Sequence, residues 1–314
     1  MPSISFVILF ISLVGLWFGT KLSVDNAVKV ARHFGLSEFF IGLTVISIGT
    51  DLPEMVVSIT GAIHKLGGQE TSGLIIGNAI GSCLGQMGFA LGLTGLFYRM
   101  TINRNDGIRD GIMLGLSTFV LMVLASDGIL SRVEGALLVV IFLVYLSVLL
   151  TQEKASKKDG ETMLPRQRIK TFAMLTAGMA IVIFSSEWTI KSALEIAAYY
   201  RIPQSVIGIF IVGLGTSLPE IAVAIGGIFR GSAGISGGTV IGSTIFDILV
   251  PIGVSAGIST LTFDIRIADF DIPAFLIIAL IVFSFFITRK GISKVEAIIV
   301  LTLYFLYVWL KLVQ

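Results

Sequence analysis

GTDLPE at residues 49–54 recurs as GTSLPE at residues 215–220, and each copy sits inside a long apolar run. The first run reads FFIGLTVISIGTDLPEMVVSITGAI and the second VIGIFIVGLGTSLPEIAVAIGGIF. An ionisable group at mid-membrane costs ~2.5–3.5 kcal/mol even on the lenient insertion scale, so a glutamate there needs a partner. Pro53 and Pro219 each lack an N–H and crowd the carbonyl four residues back, that of Gly49 or Gly215. Each run is therefore predicted to be a broken helix that leaves main-chain oxygens beside a carboxylate. Irregular backbone at membrane depth is tolerated only inside protein or beside a wet cavity. The pattern points to a buried site for a dehydrated metal ion.

Outward from these runs, the 314-residue chain is 55% hydrophobic and 13% charged, with a mean hydropathy of +0.96. A soluble domain carries about 25% charged residues. Ten stretches are long and apolar enough, or nearly so, to cross a bilayer. They are 4–19, 39–63, 72–98, 111–126, 133–151, 171–186, 205–229, 235–263, 272–288 and 295–313. The expected class is an all-α polytopic membrane protein. The N-terminal stretch lacks a basic region and a small-residue cleavage site, so it reads as the first helix. The single cysteine, Cys83, excludes an intramolecular disulfide and a cysteine metal cluster.

The two runs belong to a longer repeat. Residues 34–63 align without gaps on 200–229, and GNAIGSCLGQMG (77–88) aligns on GTVIGSTIFDIL (238–249). Weaker similarity upstream sets Ala27 and Ala31 against Ala193 and Ala197. The chain thus reads as ten transmembrane helices in two five-helix repeats. The first is 1–151 with its core at 39–98, and the second is 171–314 with its core at 205–263. A charged linker, 152–170, joins them. An odd number of spans per repeat inverts one half relative to the other, the plan of secondary transporters, with the site at the midplane. With the N-terminus outside, the inner loops hold 16 of the 22 Lys and Arg. The positive-inside rule then predicts both termini extracellular and the linker cytoplasmic, in the cell membrane.

Helical spacing puts Ser47, Thr50, Asp51 and Glu54 on one face, and Gly213, Thr216, Ser217 and Glu220 on the equivalent face. Asn78, Ser82 and Gln86 are spaced by four, as are Thr239, Ser243 and Asp247, so each trio forms a polar stripe. Glycines at small-xxx-small spacing beside the stripes predict close helix approach. Four carboxylates, Asp51, Glu54, Glu220 and Asp247, with hydroxyls, amide oxygens and bared carbonyls, form a hard-oxygen set. Such a set suits Ca²⁺, which takes about 6–8 oxygens, and Na⁺ of similar radius. Zinc would want His or Cys, and Mg²⁺ keeps its waters. His33 and His64 fall at helix ends and read as interfacial. Glu187 and Asp127, near span ends, read as solvated.

The paired GT(S/D)LPE and GNxxGS/GxxxGSxxxD segments resemble the α-repeats of the sodium/calcium exchangers, within the cation/calcium exchanger superfamily. The resemblance covers essentially the whole chain. It implies ten helices, with the second, third, seventh and eighth forming the ion-binding core and the first and sixth sliding across it. It implies that Glu54 and Glu220 are the central calcium-binding glutamates. Thr50, Thr216, Ser82, Ser217, Ser243 and Asp247 resemble Na⁺ and Ca²⁺ ligands, and the carbonyls of Ser47 and Gly213 resemble main-chain ligands. The short linker resembles prokaryotic members, which lack the cytosolic regulatory insert. Two positions depart from the pattern. Asp51 stands where Ser is usual, and Gln86 where Asn or Asp is usual, its longer arm offering the same oxygen from another depth.

The expected activity is exchange of Na⁺ for Ca²⁺ by alternating access, with extrusion of Ca²⁺ and no prosthetic group. Either Ca²⁺ or a set of Na⁺ ions neutralises the pocket, and both together do not fit, so competition for ligands yields exchange. The alternative is a Ca²⁺/H⁺ antiporter using the same carboxylates. A channel would conduct without coupling, against which the inverted repeat argues. An intramembrane aspartyl protease could use Asp51 and Asp247, but the paired glutamates would then have no role and no GxGD occurs. The chain is therefore not expected to be an enzyme. The partners expected are Ca²⁺, Na⁺ or H⁺, and the lipid bilayer, with neither nucleic acid nor an obligatory protein.

Overall fold

A computed structural model describes residues 2–33, 35, 47–97, 100–101, 104–154, 163–218, 220–221, 224, 233–289 and 291–313. Helix α1 spans Pro2–His33. The first GT(S/D)LPE run forms α2, Ser47–Thr50, and α3, Leu52–Leu66, with a turn at Asp51 between them. Pro53 lies in the first turn of α3, where a missing N–H costs nothing. The break is thus where the proline predicts it. The second run gives α9, Gln204–Ile207, a π-helical segment Gly208–Gly213, and α10, Leu214–Thr216, with a turn at Ser217. The predicted spans 39–63 and 205–229 extend outside the described residues, as does Pro219.

Between and after these lie α4, Ser72–Leu84, continued by π-helical Gly85–Ala90 and α5, Leu91–Phe97. Next come α6, Arg104–Leu124, and α7, Arg132–Lys154. Helix α8 is Pro165–Tyr200 and α11 is Ala233–Ile258. Helix α12 is Ile272–Arg289, preceded by π-helical Ile267–Asp271, and α13 is Lys294–Val313. Among the described residues, eight helical stretches are long and apolar enough to cross a membrane. Helix α8 runs well beyond the predicted span 171–186, because the polar residues at both of its ends stay helical outside the apolar window.

Four two-residue strands were not expected in an all-α chain: β1 Met100–Thr101, β2 Ile129–Leu130, β3 Leu261–Thr262 and β4 Gly291–Ile292. β1 pairs antiparallel with β4, and β2 with β3. They tie inter-helix loops across the two halves and turn Leu130, Leu261 and Ile292 into the apolar core. Two side-chain clusters also answer one another. Tyr145 donates to Asp110 (2.9 Å), which Arg109 holds at 2.6 and 2.9 Å. Tyr307 donates to Asp271 (2.9 Å), which Lys311 holds at 2.6 Å. Each cluster pins a pair of consecutive long helices, α6 to α7 and α12 to α13, at the end opposite their connecting turn.

The larger apolar core is built from α4, α6, α7, α11, α12 and α13, with Ile80, Leu84, Met87, Ile245, Phe275 and Val282 fully enclosed. A smaller cluster joins α1 and α8 to α3 and α4, through Leu9, Leu16, Val57, Leu74, Val182 and Ile190. Helix α4 crosses the α9–α10 segment backbone to backbone. A methyl on Gly77 would stand 2.6 Å from the Ser205 carbonyl oxygen, and one on Gly213 would stand 2.8 Å from that of Asn78. Only glycine permits this approach, and it draws the polar stripe of α4 against the second GT(S/D)LPE run.

Candidate ion-binding site

The two helix breaks and the two polar stripes converge on one enclosed locus. Asp51, Glu54, Glu220 and Asp247 are all 0% exposed, as are Ser47, Thr50, Ser82, Gln86, Ser217 and Ser243. Carboxylate oxygens of Asp51, Glu54 and Glu220 lie within 4.8 Å of one another. Two oxygens on opposite sides of one Ca²⁺ stand ~5 Å apart at its usual ~2.3–2.6 Å bond length. The triad is therefore spaced to share a single ion.

The hydrogen bonds divide these oxygens sharply. Glu54 Oε1 accepts from the Ser82 and Ser217 hydroxyls, each at 3.2 Å. Its other oxygen, both oxygens of Asp51, both of Glu220, Oδ1 of Asp247 and the Ser243 hydroxyl find no hydrogen-bond partner among the described residues. A buried polar group left unpaired costs ~1–3 kcal/mol, and more when charged. Six carboxylate oxygens and a hydroxyl left so in one place fit a cation that binds them. The donor set is hard oxygen throughout. Cys83 faces the Thr244 carbonyl at 3.8 Å and offers no ligand to the triad.

The remaining predicted residues line the same space in different ways. Thr50 donates to the Ser47 carbonyl (3.2 Å), which also accepts the Asp51 N–H (2.9 Å). The Gly213 carbonyl accepts the Ser217 N–H (3.1 Å) and lies 3.2 Å from the hydroxyls of both Ser82 and Thr216. Both carbonyls expected to serve an ion are thus already engaged within the protein. Thr216 also reaches the amide oxygen of Asn78 at 3.2 Å, and Ser47 donates to the Thr239 carbonyl at 3.1 Å.

Gln86 departs from the sequence expectation. It stands in the π-helical Gly85–Ala90 segment and turns its amide nitrogen, not its oxygen, toward Asp247 Oδ2 at 3.1 Å. Its oxygen faces the Thr244 hydroxyl at 3.1 Å, and that hydroxyl also lies 2.7 Å from the Val240 carbonyl. The Gln86 amide N–H satisfies a buried Asp247 oxygen, and this wins over presenting the amide oxygen to the pocket. Thr244 had no signal of its own in the sequence beyond following Ser243. Of the four residues read as interfacial or solvated, His64 and the partly exposed Glu187 meet one another across α3 and α8 at 3.2 Å.

A sequence profile described as sodium/calcium exchanger protein matches residues 4–151 and 170–313. A membrane protein of Methanocaldococcus jannaschii is 30% identical, covering 94% of this chain and 93% of that protein. The sodium/calcium exchanger MaX1 of Methanosarcina acetivorans is 27% identical over 97% of both chains. The inner membrane protein YrbG of Escherichia coli is 28% identical over 97% of this chain and 95% of its own. Among solved structures, the sodium-calcium exchanger NCX_Mj soaked with Na⁺ and Sr²⁺ superposes with a TM-score of 0.72. It is 29% identical, and 98% of each chain is covered. The match runs through both halves of the chain and both helix breaks, and on that ground the protein belongs to the sodium/calcium exchanger family.

Proposed function

We propose that the protein is a secondary active antiporter that exchanges Na⁺ for Ca²⁺ across the membrane by alternating access, in the direction of Ca²⁺ extrusion. The observation that carries this reading is the convergence of Asp51, Glu54 and Glu220, from both halves of the chain, with their partnerless oxygens inside one ion's reach. The ions named for the relatives, Na⁺, Ca²⁺ and Sr²⁺, are the ones this donor set fits. Glu54 and Glu220 are the central ligands of the proposal. Asp51, Asp247, Ser82, Ser217, Ser243, Thr50 and Thr216 complete the lining, and the carbonyls of Ser47 and Gly213 contribute as their internal hydrogen bonds allow. Gln86 acts by holding Asp247.

The architecture proposed for this cycle is ten helices in two inverted five-helix repeats, 1–151 and 171–314, joined by a cytoplasmic linker at 152–170 with both termini outside. Its support lies in pairs of equivalent residues that meet. Gln86 touches Asp247 and Cys83 touches Thr244, in each case 161 residues apart, as expected at a pseudo-twofold axis. Under the same shift β1 falls on β3 and, within a residue, β2 falls on β4, so the β1–β4 and β2–β3 pairs exchange. The Asp110–Tyr145 and Asp271–Tyr307 clusters exchange likewise.

A second reading, Ca²⁺/H⁺ antiport, is favoured by one observation: Asp51 adds a carboxylate with no partner where its counterpart in the other half, Ser217, is a hydroxyl. Ca²⁺ flux into proteoliposomes under imposed Na⁺ or pH gradients separates the two. An outward Na⁺ gradient drives uptake in the proposed exchanger, while a pH gradient alone does not. Glu54→Gln and Glu220→Gln each lower that flux at least about 100-fold, since stripping one partner from a buried charge pair costs ~3–5 kcal/mol. Uptake that follows pH and ignores Na⁺ would replace the first reading with the second.

A further inference from the structure

Three elements meet in a cleft of about 260 Å³ that is open to the surface: the start of α9, the loop before α12 and the end of α13. Its lining is Pro203, Ser205 and Val206, then Asp264 and Arg266, then Lys311. None of these lines the ion pocket. The volume lies below the ~300 Å³ at which pockets for whole drug-sized molecules begin, so the cleft takes one small polar group. Its level in the membrane follows from the helices around it. The apolar stretch that becomes α12 begins at Ile267, the residue after Arg266, and that of α13 runs to Val313, two residues past Lys311. Trp309 on α13 is exposed, as are Tyr199 and Tyr200 at the end of α8, shortly before Pro203. Exposed Trp and Tyr mark the layer of lipid headgroups. Ile265, Leu312 and Val313 are exposed beside the cleft as well, an apolar rim that acyl chains cover.

The polar groups within the cleft have capacity to spare. The Lys311 side chain is only 3% exposed, and among the described residues its ammonium gives one hydrogen bond, 2.6 Å to Asp271 Oδ2. The Phe270 ring lies 5.9 Å from the same nitrogen. An ammonium has three N–H donors, and a buried donor left unpaired is costly. Arg266 is tied by its backbone N–H, 3.1 Å from Asp264 Oδ1, while its guanidinium has no hydrogen bond or ion pair with a described residue. Asp264 Oδ2 accepts from the Ser205 hydroxyl at 3.1 Å. That carboxylate is thus fixed in place, and each of its oxygens keeps a further lone pair.

We propose that this cleft holds the headgroup of a phospholipid that carries a primary amine, with its phosphate on Arg266 and Lys311 and its ammonium on Asp264. Arginine and lysine bind phosphate through charge-assisted hydrogen bonds. A carboxylate needs an N–H donor, which ethanolamine has and choline lacks. The bound lipid ties the start of α9, and through it the second GT(S/D)LPE run, to α12 and α13 at the membrane surface. The site shares no residue with the ion pocket, so it stands whichever ion drives transport.

Native mass spectrometry of the purified full chain tests this. Phosphatidylethanolamine, phosphatidylcholine with the same acyl chains, and tail-less glycerophosphoethanolamine are added in turn. The wild type retains phosphatidylethanolamine about tenfold more strongly than phosphatidylcholine, the effect of one hydrogen bond to a charged group. It does not retain glycerophosphoethanolamine at the same concentration. Arg266→Gln and Asp264→Asn each lower retention of phosphatidylethanolamine about tenfold, while eluting and melting as the wild type does. Lys311 is left in place, because its removal would strand Asp271 in the interior. Equal retention of the two lipids by the wild type overturns the proposal, and that comparison decides the matter even where a substitution disturbs folding. Retention that neither substitution lowers overturns it too. Glycerophosphoethanolamine held as firmly as the lipid overturns the assignment to a membrane lipid.

Discussion

The two glutamates at the heart of the pocket hold equivalent places in the repeat but keep unequal company. Glu54 is steadied at Oε1 by Ser82 from its own half and Ser217 from the other. The counterparts around Glu220 are Ser243 and Asp51. An ionised Asp51 has no proton to give, and neither Glu220 oxygen nor the Ser243 hydroxyl has a hydrogen-bond partner among the described residues. The half with aspartate in place of serine thus holds two loose carboxylates where the other holds one tethered at Oε1. The same displacement of charge appears at the next layer, where Gln86 answers Asp247. The lesson is that a repeated backbone frame fixes where ligands stand, while single side chains decide how much charge each half offers the ion.

The sharpest way to break this comparison is Asp51→Ser, which gives Glu220 the hydroxyl that Glu54 already enjoys. Losing one carboxylate beside a divalent ion weakens Ca²⁺ binding roughly thirtyfold, ~2 kcal/mol, and strengthens competition by Na⁺. Calorimetric titration of both ions checks it. Identical Ca²⁺ and Na⁺ titrations in the wild type and Asp51→Ser would make this carboxylate a bystander. A smaller effect separates the serines of the two halves. Ser82→Ala removes a hydrogen bond that orients Glu54, worth ~1 kcal/mol, and lowers Ca²⁺ affinity about fivefold. Ser243→Ala removes no such bond and costs less. Equal losses in the two variants, measured by the same titration, would show that the tether on Glu54 does not matter to binding.

Much of this site could be read from the chain because its causes are local. A proline crowds the carbonyl four residues back, and at Pro53 the helix breaks at Asp51 as the spacing predicts, whereas α11 continues through Pro251. Carboxylates in an apolar run must meet a cation or a partner, and Asp51, Glu54 and Glu220 do converge. What the sequence did not disclose depends on approaches between distant segments. The Gln86 amide could point either way until α11 set Asp247 and Thr244 beside it. The carbonyls of Ser47 and Gly213 are claimed by neighbouring hydroxyls and N–H groups once the helices close up. His64 and Glu187 lie 123 residues apart, and alone one reads as an interfacial helix-end residue and the other as a solvated residue near a span end. The short strand pairs and the two Asp–Tyr clusters likewise carry no local pattern, being contacts between distant segments rather than properties of one.

The central claim, that one pocket of shared carboxylates takes either Ca²⁺ or Na⁺, is tested most directly by binding ⁴⁵Ca²⁺ to the purified protein at rising Na⁺ concentrations. The account predicts that Na⁺ raises the apparent dissociation constant for Ca²⁺ more steeply than in direct proportion, with the number of Ca²⁺ sites unchanged, and that Glu54→Gln and Glu220→Gln abolish the binding. Ca²⁺ bound with the same affinity whatever the Na⁺ concentration, or retained in full by both glutamine variants, would contradict it.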